Sequence, residues 1–255
     1  MQNLFDLSGR VAVLTGSTKG MGLEMARALG NAGAAIIVSG RDGDTAQTVA
    51  AQLESEGIRT RGIACDIADL ASVRAFADQA LGAFGRVDAL VLNAAAEGAA
   101  GPLLSQGPEI FDVAMAGNVR GNLALVNALA PQMVARKDGS ITFMSSIAAK
   151  RGSTFLGMYS ITKAAVDQAV RSLALELGAS GVNVNAINPG PVRTEFSREA
   201  LWGDPEREAQ IAARNPMRRI GEARDVAGLA VLLASPAGRF INGQSVSVDG
   251  GLSVA

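Results

Sequence analysis

Val11-Ala12-Val13-Leu14-Thr15-Gly16-Ser17-Thr18-Lys19-Gly20-Met21-Gly22 is the stretch that decides the fold. The aliphatic run at its start reads as a buried strand. Glycines follow in the spacing Gly-x-x-x-Gly-x-Gly, and an apolar helical pattern runs on from Met21 to Ala32. Glycines at a strand-to-helix turn let backbone come close to a phosphate. The helix N-terminus adds free N–H groups and the positive end of a dipole. Gly16, Ser17, Lys19, Gly20, Met21 and Gly22 are therefore the candidate phosphate-binding loop.

Working outward, short aliphatic runs alternate with helical patterns along the chain. Strands are expected at Ala35 to Val38, Arg59 to Ala64, Val87 to Leu92, Ser140 to Met144, Val182 to Ile187 and Ser245 to Val248. Helices are expected at Thr45 to Glu56, Ser72 to Phe84 (capped by Asp69 or Ser72), Glu109 to Ala135 and Tyr159 to Leu177. Strict alternation implies parallel strands with right-handed crossovers. The expected fold class is α/β: a Rossmann-type doubly wound parallel sheet of about seven strands with helices on both faces. No linker-like stretch interrupts the order, so residues 1–255 read as one domain. A substrate lid is expected within 190–220, in the long segment Asn188 to Gly243 that leaves a strand's carboxyl end.

Composition narrows the chemistry. The net charge is −1, so no general attraction to nucleic acid or anionic membrane is expected. No apolar run is long enough to cross a membrane, and Met1 to Arg10 carries no secretory signal pattern. Cys65 is the only cysteine, which excludes an internal disulfide framework. Together these features suggest a cytoplasmic protein. The chain has no histidine, so Ser-His-Asp triads, Cys-His dyads and His-ligated zinc are excluded. No metal-ligand cluster stands out, and no metal is expected.

The single tyrosine, Tyr159, stands four residues before Lys163 on an expected helix. Positions i and i+4 share a helix face, which brings an ammonium near the phenol. Positive charge favours the phenolate, so the pair suits proton exchange with a carbonyl or alcohol oxygen. The helix follows a strand that ends in Ser145-Ser146, as a site at strand ends requires.

The glycine loop, with Tyr159-Ser160-Ile161-Thr162-Lys163, resembles the short-chain dehydrogenases/reductases. The resemblance runs from Gly9 to Gly251 and takes in Cys65-Asp66-Ile67, Asn118, Ser145-Ser146, Asn188-Pro189-Gly190 and Val248-Asp249-Gly250-Gly251. It implies that Ser146, thirteen positions before Tyr159, hydrogen-bonds the substrate oxygen, and that Asn118 helps hold a water linking Lys163 to solvent. It implies that Asp66 and the Ile67 N–H contact adenine and that Asn93 supports the cofactor pocket. Val192 and Thr194 match positions that hold the nicotinamide carboxamide. Leu92-Asn93-Ala94-Ala95 departs from the family's Asn-Asn-Ala-Gly. The chain looks most like the NADP-dependent retinol dehydrogenase/carbonyl reductase subgroup. The closing Ser253-Val254-Ala255 is not a peroxisomal address, so placement is not carried over.

Cofactor choice follows from Val38-Ser39-Gly40-Arg41. An NAD site typically sets an acid on the ribose 2′-hydroxyl at the end of the second strand. Gly40 stands there instead. Arg41 is suited to a 2′-phosphate, with Lys19 as a second charge and Ser39 as a further donor. NADP(H) is the expected cofactor and a small-molecule carbonyl or alcohol the expected partner. Phe196, Leu201, Trp202, Ile211 and Met217 either line a substrate mouth or pack the lid, while Arg198, Glu199 and Arg207 suit its solvated face. The helices at Phe111 to Ala130 and Tyr159 to Leu177, with the tail from Gln244, resemble the family's interfaces, which implies a homotetramer. A non-catalytic NADP(H)-binding sensor or scaffold on the same fold is the competing reading.

Overall fold

A computed structural model describes residues 3–96 and 101–255, except the side chains of 196, 199 and 200. The strands are β1 (Val11–Leu14), β2 (Ala35–Gly40), β3 (Thr60–Ala64), β4 (Ala89–Leu92), β5 (Gly139–Met144), β6 (Val182–Pro189), β7 (Val192–Arg193), β8 (Gly221–Glu222) and β9 (Ser245–Val248). The helices are α1 (Gly20–Asn31), α2 (Gly43–Ser55), α3 (Leu70–Phe84), α4 (Pro108–Met115), α5 (Gly121–Arg136), α6 (Gly157–Leu177), α7 (Pro205–Arg214) and α8 (Ala223–Ala234).

Seven strands form one sheet in the order β3-β2-β1-β4-β5-β6-β9, and every pairing is parallel. The expected Rossmann-type sheet is the observed one. Successive strand residues point to opposite faces. Val11 and Val13 enter one core with Phe76, Leu125, Leu129, Val166 and Val170, under α3, α5 and α6. Ala12 and Leu14 enter the other with Met25, Leu29, Leu53, Val226 and Leu233, under α1, α2 and α8. Both faces are covered, which is why the strands read as unbroken apolar runs. The order reverses between β1 and β4, and a ligand crevice in such sheets opens at that point.

Local chemistry sets the helix ends. Asp42 accepts the Thr45 N–H at 2.6 Å to start α2. Of the two caps expected for α3, Asp69 is the one used, accepting from Ala71 N at 2.9 Å. Ser72 Oγ turns back to accept from Asp66 N. Gly85, at φ 76°, ends α3 in the left-handed region that a residue without Cβ adopts most readily.

Two expectations are corrected. The helix expected across Glu109 to Ala135 is not regular: a π-helical turn, Ala116–Arg120, separates α4 from α5. Side-chain bonds from Asn118 and Asn122 hold that wider turn. The segment Asn188 to Gly243, which carries no clear strand signal in the sequence, holds two short strands, β7 and β8, that pair with each other. Its later part is core, since Val226, Ala230 and Leu233 of α8 are buried.

The crossing of α5 over the chain after β3 depends on one glycine. A Cβ on Gly121 would lie 1.7 Å from the Ile67 carbonyl oxygen, a backbone atom that cannot move aside alone. Gly121→Ala is expected to destabilise the fold by at least about 1–3 kcal/mol, the usual range for overpacking. Urea denaturation checks it, and an unchanged midpoint would refute the close crossing.

Candidate active site

The carboxyl ends of β1, β2, β4, β5 and β6 bring the expected site residues to one edge of the sheet. At β1 the turn is tied down from three sides. Ser17 Oγ donates to Leu14 O at 2.8 Å and accepts from Ser39 N at 2.9 Å. Thr15 Oγ1 accepts from both Asn93 N and Ala94 N at 3.0 Å. Asn93 Nδ2 donates to Gly16 O at 2.7 Å and Thr15 O at 3.2 Å. The turn is also crowded against itself. A Cβ on Gly22 would sit 2.4 Å from Gly16 O, and one on Gly16, already at φ 59°, 2.9 Å from Ala94 Cα. Gly20 faces Thr194 across the opening. The departure at Leu92-Asn93-Ala94-Ala95 leaves this brace intact, because Leu92 is in the core and Asn93 keeps its bonds.

The hydroxyl of Ser39 is not a free donor. It is buried and donates to Leu14 O at 3.1 Å, so the expectation that it reaches a 2′-phosphate is corrected. The Ser17 hydroxyl is spent in the same way. Lys19 and Arg41 are exposed. Gly40 lies against Thr18, with a virtual Cβ 2.9 Å from the Thr18 methyl, which places Arg41 beside the loop that carries Lys19. Asp66 follows β3, and its Oδ1 accepts from Ala68 N at 2.9 Å. Ile67 is buried under Gly121.

The second group lies at β5. Ser146 follows the strand, and its Oγ accepts from Ala148 N at 3.1 Å, which leaves its proton to donate elsewhere. Its side chain is close enough to the Tyr159 phenol to act on its acidity. Lys163, one turn along α6, is buried; its Nζ donates to Met144 O at 2.7 Å and lies 5.5 Å from the Tyr159 ring centre. Ser145 Oγ donates back to Lys163 O. Burial pushes the Tyr159 phenol up from its ordinary value, and the Ser146 side chain pulls it partly back. A phenol lowered by Lys163 was expected. Here burial dominates, because the ammonium is turned to the Met144 carbonyl. Burial pulls Lys163 itself down to about 8, against the attraction of Asp167.

Asn118 sits in the π-helical turn, a device common at functional sites. Its Oδ1 accepts from Ala96 N at 2.8 Å and its Nδ2 donates to Thr162 Oγ1 at 3.0 Å. Thr162 in turn donates to Tyr159 O. The Asn118 amide is thus spent on protein atoms. Its carbonyl accepts from Asn122 at 2.9 Å, and any water held by Asn118 would share that oxygen.

Thr194 opens the segment after β7 and exchanges hydrogen bonds with Ser197. Val192 is buried beside it. The Trp202 indole donates to Thr194 O at 3.1 Å, and the Arg198 guanidinium stacks over its ring at 5.4 Å. Arg198 therefore covers the ring as well as facing solvent. Arg207 is exposed. Leu201 and Ile211 are partly buried and Met217 is exposed. The expectations for the Phe196 and Glu199 side chains lie outside the described residues.

A cavity of about 500 Å³ lies elsewhere, lined by Arg193, Glu208, Arg219, Glu222 and Asp225. Those charges pair with one another. Among the described residues, no His/Cys/Asp/Glu cluster could hold a metal, and no helix is long and apolar enough to cross a membrane. The sequence reading did not assign Thr15, Thr162, Asp167 or Asn188. Asp167 carried a signal: it stands four residues beyond Lys163, on the same helix face.

A family model described as enoyl-(acyl carrier protein) reductase matches residues 16–253. The bovine dehydrogenase/reductase SDR family member 4 is 37% identical over 245 residues, 96% of this chain and 88% of that one. A gluconate 5-dehydrogenase from Burkholderia cenocepacia, solved with NADP and tartrate, superposes with a TM-score of 0.94 at 34% identity, covering 99% of this chain and 98% of that one. A 7α-hydroxysteroid dehydrogenase solved with NADH and 7-oxo glycochenodeoxycholic acid gives 0.93 at 33% identity, covering 98% of each. The chain belongs to the short-chain dehydrogenase/reductase family, and its seven-stranded parallel sheet with helices on both sides is that family's fold.

Proposed function

We propose that this chain is an NADP(H)-dependent oxidoreductase that reduces a ketone or aldehyde, or oxidises the matching secondary alcohol, with Tyr159 as acid/base. The observation that carries the reading is the buried Lys163 ammonium 5.5 Å from the Tyr159 ring centre, with Ser146 just beyond the end of β5 beside them. The nicotinamide, when bound, supplies or accepts the hydride. Tyr159 gives its phenolic proton to the carbonyl oxygen, and Ser146 donates a hydrogen bond to the same atom as charge develops on it. Lys163 keeps a positive charge near the phenol, and Asn118 braces the helix turn that carries Tyr159. Gly16, Ser17, Gly20, Met21 and Gly22 form the cradle for the pyrophosphate, whose narrowness at Gly16 and Gly22 leaves room for backbone contact only. Asp66, Ile67, Asn93, Val192 and Thr194 complete the cofactor site, and 190–220 acts as the substrate lid of a single domain. Tyr159→Phe is expected to lower kcat by a few orders of magnitude while the fold persists. Near-normal turnover on a good ketone would rule out Tyr159 as the acid.

NADP(H) preference rests on this chain's own residues, since structural relatives are solved with either cofactor. Gly40 brings no acid to repel a 2′-phosphate, and Arg41 and Lys19 offer charge there. Hydrogen bonds to charged groups contribute about 1.5–3 kcal/mol each. The ratio of kcat/KM for NADPH over NADH is therefore expected to be at least about 100. Arg41→Ala should cut it about ten- to a hundredfold. It is a cleaner test than an acid at position 40, which must first displace Thr18. An NADH preference in the unmodified protein would overturn the assignment.

A homotetramer is part of the same reading. Phe111 and Val113 of α4, with Ile161 and Leu175 of α6, are exposed apolar residues on the helices expected at an interface. Static light scattering is expected to give four times the chain mass, and a monomer at micromolar concentration would exclude it.

A further inference from the structure

Asp88, Lys163 and Asp167 are the charged side chains buried among the described residues. Asp88 lies at the amino ends of the strands and is fully engaged by Arg86, Arg136 and the Val11 N–H. Asp167 is different. Its Oδ2 accepts from Asn188 Nδ2 at 3.0 Å, but its Oδ1 has no hydrogen-bond partner in the described protein. Asn188 is fully buried at the end of β6, and the same Nδ2 donates to Ser146 O at 3.0 Å. Its Oδ1 is also without a partner. Burying a carboxylate and an amide with half their capacity unused is costly for a fold. The pair stands directly behind the site: Asp167 one turn beyond Lys163, Asn188 on the backbone of Ser146.

We propose that Asp167 and Asn188 form a buried positioning pair that holds Ser146 and Lys163 in register. Asn188, oriented by the carboxylate, fixes the carbonyl of Ser146 and so the direction of its hydroxyl. Asp167 supplies the negative charge that keeps the buried ammonium of Lys163 protonated. This deepens the proposed function and rests on its assignment of Ser146, Tyr159 and Lys163.

The surroundings of Lys163 isolate the effect. On α6 it is flanked by Tyr159 and Asp167. β5 presents the Met144 carbonyl and the hydroxyls of Ser145 and Ser146, the π-helical turn presents Asn118, and β6 presents Asn188. Glu109 and Asp112 of α4 and Lys150 beyond β5 are solvent-exposed. The charge that acts on Lys163 is that of Asp167, which opposes the fall to about 8 caused by burial. Its removal should therefore let Lys163 lose its proton at lower pH.

The test is a ¹³Cε-lysine NMR titration of the full chain, wild type against Asp167→Asn. Lys19, Lys137 and Lys150 serve as internal references. The wild-type Lys163 signal is expected to titrate near pH 8, and the variant's about one pH unit lower. The alkaline limb of kcat for carbonyl reduction should move with it. At pH 8 the variant's kcat should then fall several-fold, while KM for NADPH changes less than about twofold. At pH 6.5 most of the loss should be recovered. Asp167→Leu, which removes the charge together with the unpartnered Oδ1, gives the same reading should Asp167→Asn fail to fold. Coincident Lys163 titrations, or unmoved pH limbs, would overturn the pair. The titration needs no substrate, so a protein that turns over no carbonyl defeats the proposed function without deciding this inference for it.

Discussion

The carbonyl oxygen of Leu14 accepts hydrogen bonds from two buried hydroxyls, those of Ser17 and Ser39. Ser17 N also donates to Ser39 O at 2.8 Å. The turn after β1 is thereby fastened to the end of β2, and Thr15 and Asn93 fasten it to the end of β4. The hydroxyls of Thr15, Ser17 and Ser39 are buried, so losing one partner leaves the other unsatisfied, at about 1–3 kcal/mol. The turn keeps one shape, and the crevice at the reversal of strand order keeps one floor. The small side chains of the loop are spent on holding it. In the proposed function, recognition of the dinucleotide falls to backbone N–H groups and to the exposed cations at Lys19 and Arg41.

Much of this was legible in the sequence because its determinants are local. The runs at Val11 and Ala35 and the Gly-x-x-x-Gly-x-Gly spacing each specify a strand or a turn within a few residues. Tyr159 and Lys163 share a helix face by periodicity alone. What escaped was set by contacts distant in sequence. Asn118 widens a helical turn because Ala96 and Thr162 meet its amide, and nothing in the helical pattern of Glu109 to Ala135 signals that. The Ser39 hydroxyl turns inward because Ser17, 22 residues away, leaves Leu14 O within its reach. α8 looked like part of a long insert because its role in the core depends on α1.

The corrected electrostatics change how the site is understood. An isolated tyrosine and lysine lose their protons at nearly the same pH. In this site burial moves them in opposite directions, the phenol up and the ammonium down to about 8. Below that pH the phenol is neutral and the ammonium charged, which in the proposed function is the state that donates a proton to a carbonyl oxygen. Above it the ammonium loses its charge first, and the phenol then has less reason to ionise. The two titrations are coupled, so an observed pH limb belongs to the pair. In the proposed function, a chain without histidine uses a phenol as its acid and a buried lysine one helical turn away as the cation that governs it. The neighbouring Asp167 carboxylate opposes that lowering, so in the proposed pair the hydrogen-bonding of the strand ends and the proton chemistry of the site are set by the same few side chains.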